Sequence, residues 1–150
     1  MCQRWFDEVR DKKRKKVLIF SFTGDRDVIR LLAPLASSPE GWDIVIFVDN
    51  TVRTTLTTDE SNWAIRQNNT EKAVQDRLTL MLTSWQTLTA EITELPQRKT
   101  TMLIKEQYIE DAFRKVATAG SVDCLVTGSL LFVGNCLKII KRISELKEEE

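Results

Sequence analysis

Two short turns hold the residues whose types and spacing could do chemistry. The first is Thr23-Gly24-Asp25-Arg26-Asp27, directly after the apolar run Val17-Leu18-Ile19-Phe20-Ser21-Phe22. Gly24 permits a tight turn with positive φ. Asp25 suits a helix cap, and Asp27 in the first turn complements the helix dipole. Arg26 presents a rigid planar fork that fits a carboxylate or phosphate. The same residues also read as a capped helix with an internal Arg–Asp pair and no ligand. The second turn is Thr127-Gly128-Ser129, again at the end of an apolar run. Ser129 is a good N-cap, and the amides of a helix starting there can bind an anion. A cap without an anion contact is the competing reading.

Other chemistries are excluded by what the 150 residues lack. There is no histidine. Ser-His-Asp and Cys-His catalysis and His-based metal sites therefore cannot be built from this chain. Ser129 has no base to activate it as a nucleophile, and no metal ligand set is expected. Neither a G-x-x-x-x-G-K-[ST] phosphate loop nor a G-x-G-x-x-G fingerprint occurs, so the chain has no ATP or dinucleotide cradle of its own. Lys and Arg total 22, as do Asp and Glu, for a net charge of zero. A nucleic-acid binder would show a basic excess. Asp11-Lys12-Lys13-Arg14-Lys15-Lys16 accordingly reads as a solvated helix end. No apolar run reaches the ~18–20 residues a membrane span needs, and the first ten residues lack the apolar core of a secretory signal. Cys2, Cys124 and Cys136 are too few and scattered for a disulfide framework, which points to a reducing compartment. Without a secretory signal, Asn68-Asn69-Thr70 is not read as a glycosylation site.

The elements that must position the two turns follow from periodicity. Cys2, Trp5, Phe6 and Val9 form one apolar stripe on an opening helix. The run 17–22 reads as a strand buried on both faces. Val28, Leu31, Leu32 and Leu35 predict a helix that Pro34 should kink or end near Ala33. The run 43–48 is a second buried strand. Residues 49–69 read as a long polar loop, of the kind that is often functional. Val74, Leu78, Met81, Trp85 and Leu88 line the next helix, capped by Asn69 or Thr70. Residues 89–99 read as a loop broken by Pro96. Met102-Leu103-Ile104 suggests a short strand. Ile109, Ala112, Phe113 and Val116 make another helical stripe. The run 122–127 is the third strong strand, and from Leu130 a helix packs through Val133, Leu137, Ile140 and Ile143. The four tryptophans read mainly as core or helix-packing residues, Trp63 in the long loop being the one placed to meet a ligand or another domain. Alternating helices and buried strands predict an α/β fold, a mostly parallel sheet with helices on both faces. Ligands in such sheets bind outside the carboxyl ends of the strands, where both turns lie.

At these turns the sequence resembles a known family. Leu18-Ile19-Phe20-Ser21-Phe22-Thr23-Gly24-Asp25-Arg26-Asp27 is similar to the strand-plus-GDRD segment of eukaryotic folylpolyglutamate synthases. Residues 122–134, with Leu125-Val126-Thr127-Gly128-Ser129-Leu130 at their centre, resemble that family's closing LVTGSL-x-x-VGG segment. Residues 59–88 resemble its stretch leading into a long Trp-containing helix, and residues 2–9 the helix before the GDRD strand. The resemblance implies a Rossmann-like fold, that of a Mur ligase C-terminal domain, with residues 1–150 as this one domain and the N-terminal ATPase domain absent. In the family, ATP with Mg2+ drives addition of glutamate to the γ-carboxylate of tetrahydrofolates through an acyl phosphate. The N-terminal domain holds the phosphate loop.

By this resemblance Thr127, Gly128 and Ser129 would contact the glutamate. Asp25, Arg26 and Asp27 would shape the interdomain cleft. The expected partners are the N-terminal domain, tetrahydrofolate and glutamate, with no nucleic acid and no membrane, in cytoplasm or mitochondrion. A DGAH-type nucleotide-site segment precedes the first helix in the family, and this chain starts after it. The family's usual His is Leu131 here and the second glycine of VGG is Asn135. The chain alone is therefore expected to be inactive. The alternative is a catalytically inactive stand-alone binding module of the same fold.

Overall fold

The structure is a computed structural model that describes residues 2–22, 27–38, 40–51, 71–91 and 100–148. Helix α1 (Cys2–Val9) is followed by strand β1 (Lys15–Ser21), α2 (Val28–Ala36) and β2 (Ile44–Thr51). Then come α3 (Glu71–Ala90), β3 (Met102–Tyr108), α4 (Ile109–Thr118), β4 (Val122–Gly128) and α5 (Leu130–Glu148). The four strands form one parallel sheet in the order β3-β2-β1-β4. This is the parallel α/β architecture expected from the pattern of apolar runs, and it is Rossmann-like, as the resemblance implies.

Side-chain alternation on β1 divides the core in two. Leu18 and Phe20 face a layer made by α1, α2 and α3, where Phe6, Leu32, Leu78 and Trp85 are buried. Val17 and Ile19 face the layer of α4 and α5, with Ile109, Phe132 and Cys136. Burial on both faces explains why the runs of β1 and β2 are continuously apolar rather than alternating.

Four local readings of the sequence are corrected by the fold. Of the two outcomes expected at Pro34, a kink or an end near Ala33, the end does not occur: helix α2 runs through Pro34 to Ala36. Pro34 and Arg30 both lie on the exposed side of α2, so water can satisfy the Arg30 carbonyl that proline leaves without its helical donor. Strand β3 is seven residues long, not three. It continues through Lys105, Glu106 and Gln107 because an edge strand tolerates charge. Helix α3 reaches Ala90, past the expected loop start at Thr89. The apolar stripes of the two terminal helices are only partly covered. On α1, Phe6 is buried but Trp5 and Val9 are exposed. On α5, burial falls on Phe132, Cys136 and Ile139 rather than on Leu137, Ile140 and Ile143. Trp42 and Trp85 are buried as expected. Trp63, and most of the loops 49–69 and 89–99, lie outside the described residues.

The basic run also breaks its pattern at Lys16, which is fully buried. Its ammonium pairs with Asp7 at 2.5 Å, hydrogen-bonds Ser38 and lies 4.3 Å from the centre of the Trp42 ring. Ser38 in turn donates to Asp7 at 2.9 Å. Burial pushes the Lys16 ammonium below its ordinary pKa, an effect that the Asp7 carboxylate opposes. Beside this cluster Arg10 reaches Glu40 at 2.7 Å. Phe6 stacks on Trp42, with ring centres 5.8 Å apart. These contacts dock α1 on β1 and on the chain that leaves α2.

Asp7→Ala strands a buried ammonium, so it should destabilise the fold by about 3–5 kcal/mol in chemical denaturation. Lys16→Met, which removes the charge and keeps the volume, should cost far less. A second expectation concerns acid. The Arg10 hydrogen bond holds the Glu40 carboxyl below its usual value of 4.5. The stability this contributes is present above that value and is lost as pH falls through the lowered one. Stability measured from pH 6 down to about 3 should fall less steeply in Glu40→Gln than in the wild type.

Candidate functional site

The sheet order places a topological switch point between β1 and β4. From β1 the chain moves through β2 to β3 on one side, then returns to place β4 on the other. The crevice outside the carboxyl ends of such a strand pair is where open α/β sheets bind ligands.

The register puts Ser21 opposite Gly128 at that end of the pair. The two strands approach more closely there than side chains allow. Gly128 adopts φ +134, and a Cβ built on it would lie 1.8 Å from the Ser21 carbonyl oxygen. Glycine is thus required twice, for its backbone conformation and for its lack of volume. The close approach lets the Ser129 amide donate to the Ser21 carbonyl at 3.1 Å. The chain then turns straight into α5. Ser129, buried, caps this helix. Its Oγ accepts from the Phe132 amide at 3.2 Å, and its carbonyl accepts from the Val133 amide at 3.1 Å. The first amides of a helix have no partner within it. Those of Leu130 and Leu131 are therefore the donors available to an anion at the positive end of the dipole. The leucine side chains themselves are exposed.

Further polar groups lie at this end. Thr127 Oγ1 lies 3.8 Å from Cys2 Sγ, which brings the start of α1 to the edge of the crevice. The Ser21 hydroxyl is buried and has no hydrogen-bond partner among the described residues. On the other side of β1, Asp27 begins α2. It is itself the N-cap, accepting from the Arg30 amide at 3.3 Å, a role the sequence reading gave to Asp25. Asp25 and Arg26, proposed from the sequence as cleft residues, lie outside the described residues. The structure sets Gly128 and Ser129 against Ser21, with Thr127 one residue before them, and Asp27 lies at the same end of the sheet.

One pair was missed. Asp49, buried at the end of β2, is held by Arg77 of α3 at 2.7 Å. The residues are 28 apart in sequence, and only the topology joins them. Asp49 follows directly on the apolar run 44–48, which was the one available sign.

Chemically the site offers amide donors, hydroxyls and a helix dipole, and among the described residues no acid–base pair suited to proton transfer near neutrality. Burial pushes the thiols of Cys124 and Cys136 up to about 12, so neither is a thiolate nucleophile at neutral pH. Among the described residues no group of three or more His, Cys, Asp or Glu converges as a metal set, and no helix is long and apolar enough to cross a membrane. Compared with protein-family models, curated proteins and solved structures, the chain gives no match.

Gly128→Ala should destabilise the domain by about 3 kcal/mol or more, through the strained φ and the collision with Ser21. Ser129→Ala should cost only about 1 kcal/mol, the loss of one cap. Thermal and urea unfolding of the two variants test this order.

Proposed function

We propose that this chain is the C-terminal domain of an enzyme similar to folylpolyglutamate synthase, and that it serves ATP-dependent addition of glutamate to the γ-carboxylate of a tetrahydrofolate. The observation that carries this reading is the Thr127-Gly128-Ser129 turn. It sits at the switch point of a Rossmann-like sheet, locked onto Ser21 and opening a helix. Those are the residues in which the sequence resembles the family's closing segment.

In this reading the domain binds and positions; it does not activate the acid. The amides of Leu130 and Leu131 would hold a carboxylate of the incoming glutamate, aided by the α5 dipole. Gly128 allows that helix to begin against the strand ends, and Ser129 keeps its first turn intact. The described residues do not fit ATP or magnesium. They contain neither a Gly-rich phosphate cradle nor a converging carboxylate set. Nucleotide and metal would be held by a separate N-terminal domain. Closing the two domains would exclude water from the reacting groups.

The test is a titration of the chain with glutamate, followed by amide NMR. Shifts should concentrate at Leu130 and Leu131, and Gly128→Ala should abolish them. Given tetrahydrofolate, glutamate, ATP and magnesium, the chain alone should add no glutamate, and adding the N-terminal domain of a folylpolyglutamate synthase should restore ligation. Ligation by the pure chain, or glutamate that leaves those amides unmoved, would overturn the proposal.

A further inference from the structure

Strand β4 ends the sheet, pairing with β1 along its length and with no other strand among the described residues. Its outer row of amides and carbonyls is therefore open to another strand. What flanks this edge is apolar on both layers. On one layer α1 lies over the boundary between β1 and β4. Cys2 touches Thr127 near one end of β4, and Asp11 and Arg14, just past the helix, touch Asp123 near the other. Phe6 points into the core, while Asp7 and Arg10 turn toward Lys16 and Glu40 over β1. At 100° per residue, Trp5 and Val9 fall on the opposite flank of the helix, toward the free edge. They are 59% and 58% exposed. On the other layer α5 buries Phe132, Cys136 and Ile139. With the right-handed crossovers that parallel sheets adopt, the flank of α5 carrying Val133, Leu137 and Ile140 turns to the same free edge. Leu137 is 62% and Ile140 43% exposed.

We propose that this edge is a homodimer interface, in which β4 strands of two copies pair antiparallel about a two-fold axis at Leu125. A two-fold interface must be self-complementary, with i meeting j and j meeting i. Every layer here meets that demand about the same axis. In the strands, Cys124 faces Val126 and Asp123 faces Thr127, so no like charges are opposed. The contacts of Cys2 and Asp11 with the two ends of β4 bring the middle of α1 level with Leu125. An antiparallel copy of α1 then sets Arg4 opposite Glu8 twice, and both residues are exposed. Helix α5 descends from Leu130 at about 1.5 Å per residue against about 3.3 Å for the strand. Its level with Leu125 falls near Leu137. Leu137 then meets its own copy, and Val133 meets Ile140. Each α1 sits about half a strand spacing inside β4, so the two α1 axes come to roughly 10 Å apart, a normal packing distance. A second copy is the occupant because charge and apolar sets both match themselves about one axis. The proposal does not depend on the ligase reading.

Sedimentation equilibrium of the full chain over about 1–100 µM tests it. The expected species has twice the 17.3 kDa mass of the chain. Trp5→Glu and Leu137→Glu should each weaken the dimer by about tenfold or more. Both side chains are exposed, so circular dichroism should remain that of the wild type. Arg4→Glu should weaken the dimer, and adding Glu8→Arg should restore it. A monomer across the whole range would overturn the proposal. So would a dimer indifferent to Trp5→Glu and Leu137→Glu, or a charge reversal that Glu8→Arg fails to rescue.

Discussion

A single buried ammonium sets the pose of the first helix, and much of the molecule depends on that pose. Lys16 lies near the start of the inner strand β1, where its charge has no access to water, so Asp7 must come to it. Asp7 is on α1, and once it is held against β1 the rotation of that helix is fixed. Phe6 then lands on Trp42, and Cys2 arrives beside Thr127 at the carboxyl end of β4. Trp5 and Val9 are left outside. One ion pair near the amino ends of the strands thus shapes the wall of the crevice at their carboxyl ends.

The two ends of the sheet solve different problems. At the amino end, charge is buried and neutralised by Asp7, Ser38 and the Trp42 face. At the carboxyl end, the described residues between β1 and β4 carry little charge, and partial charges take its place. The Gly128–Ser21 contact draws the two strands together, and Ser129 converts that closeness into a helix start. Asp49, the buried carboxylate at this end, is held by Arg77. What remains is a positive helix pole beside the buried hydroxyl of Ser21, an arrangement that can attract an anion without titrating near neutral pH.

The strands and the second turn were legible because their physics is local. Runs such as Val17-Leu18-Ile19-Phe20 have few uses except as strands covered on both faces, and Gly-Ser after such a run marks a strand passing into a helix. What could not be read depended on neighbours. The stripes on α1 and α5 revealed apolar flanks, but periodicity does not say whether anything lies against them. Lys16 sat within a basic run and carried no mark of burial. Its partner Asp7 is nine residues away on another element. Strand β3 looked short because charge on an edge is indistinguishable in sequence from charge in a loop. Asp49 and Arg77 were joined only by the crossover through α3.

Of the three thiols, Cys136 is buried, Cys124 is half-buried with its thiol pushed up to about 12, and Cys2 is the exposed one. The molecule thus carries a single natural attachment point for a reporter dye or spin label. It stands 3.8 Å from the Thr127 hydroxyl, at the rim of the crevice and beside the free edge of β4. A probe placed there needs no engineered residue and would sense events at either one.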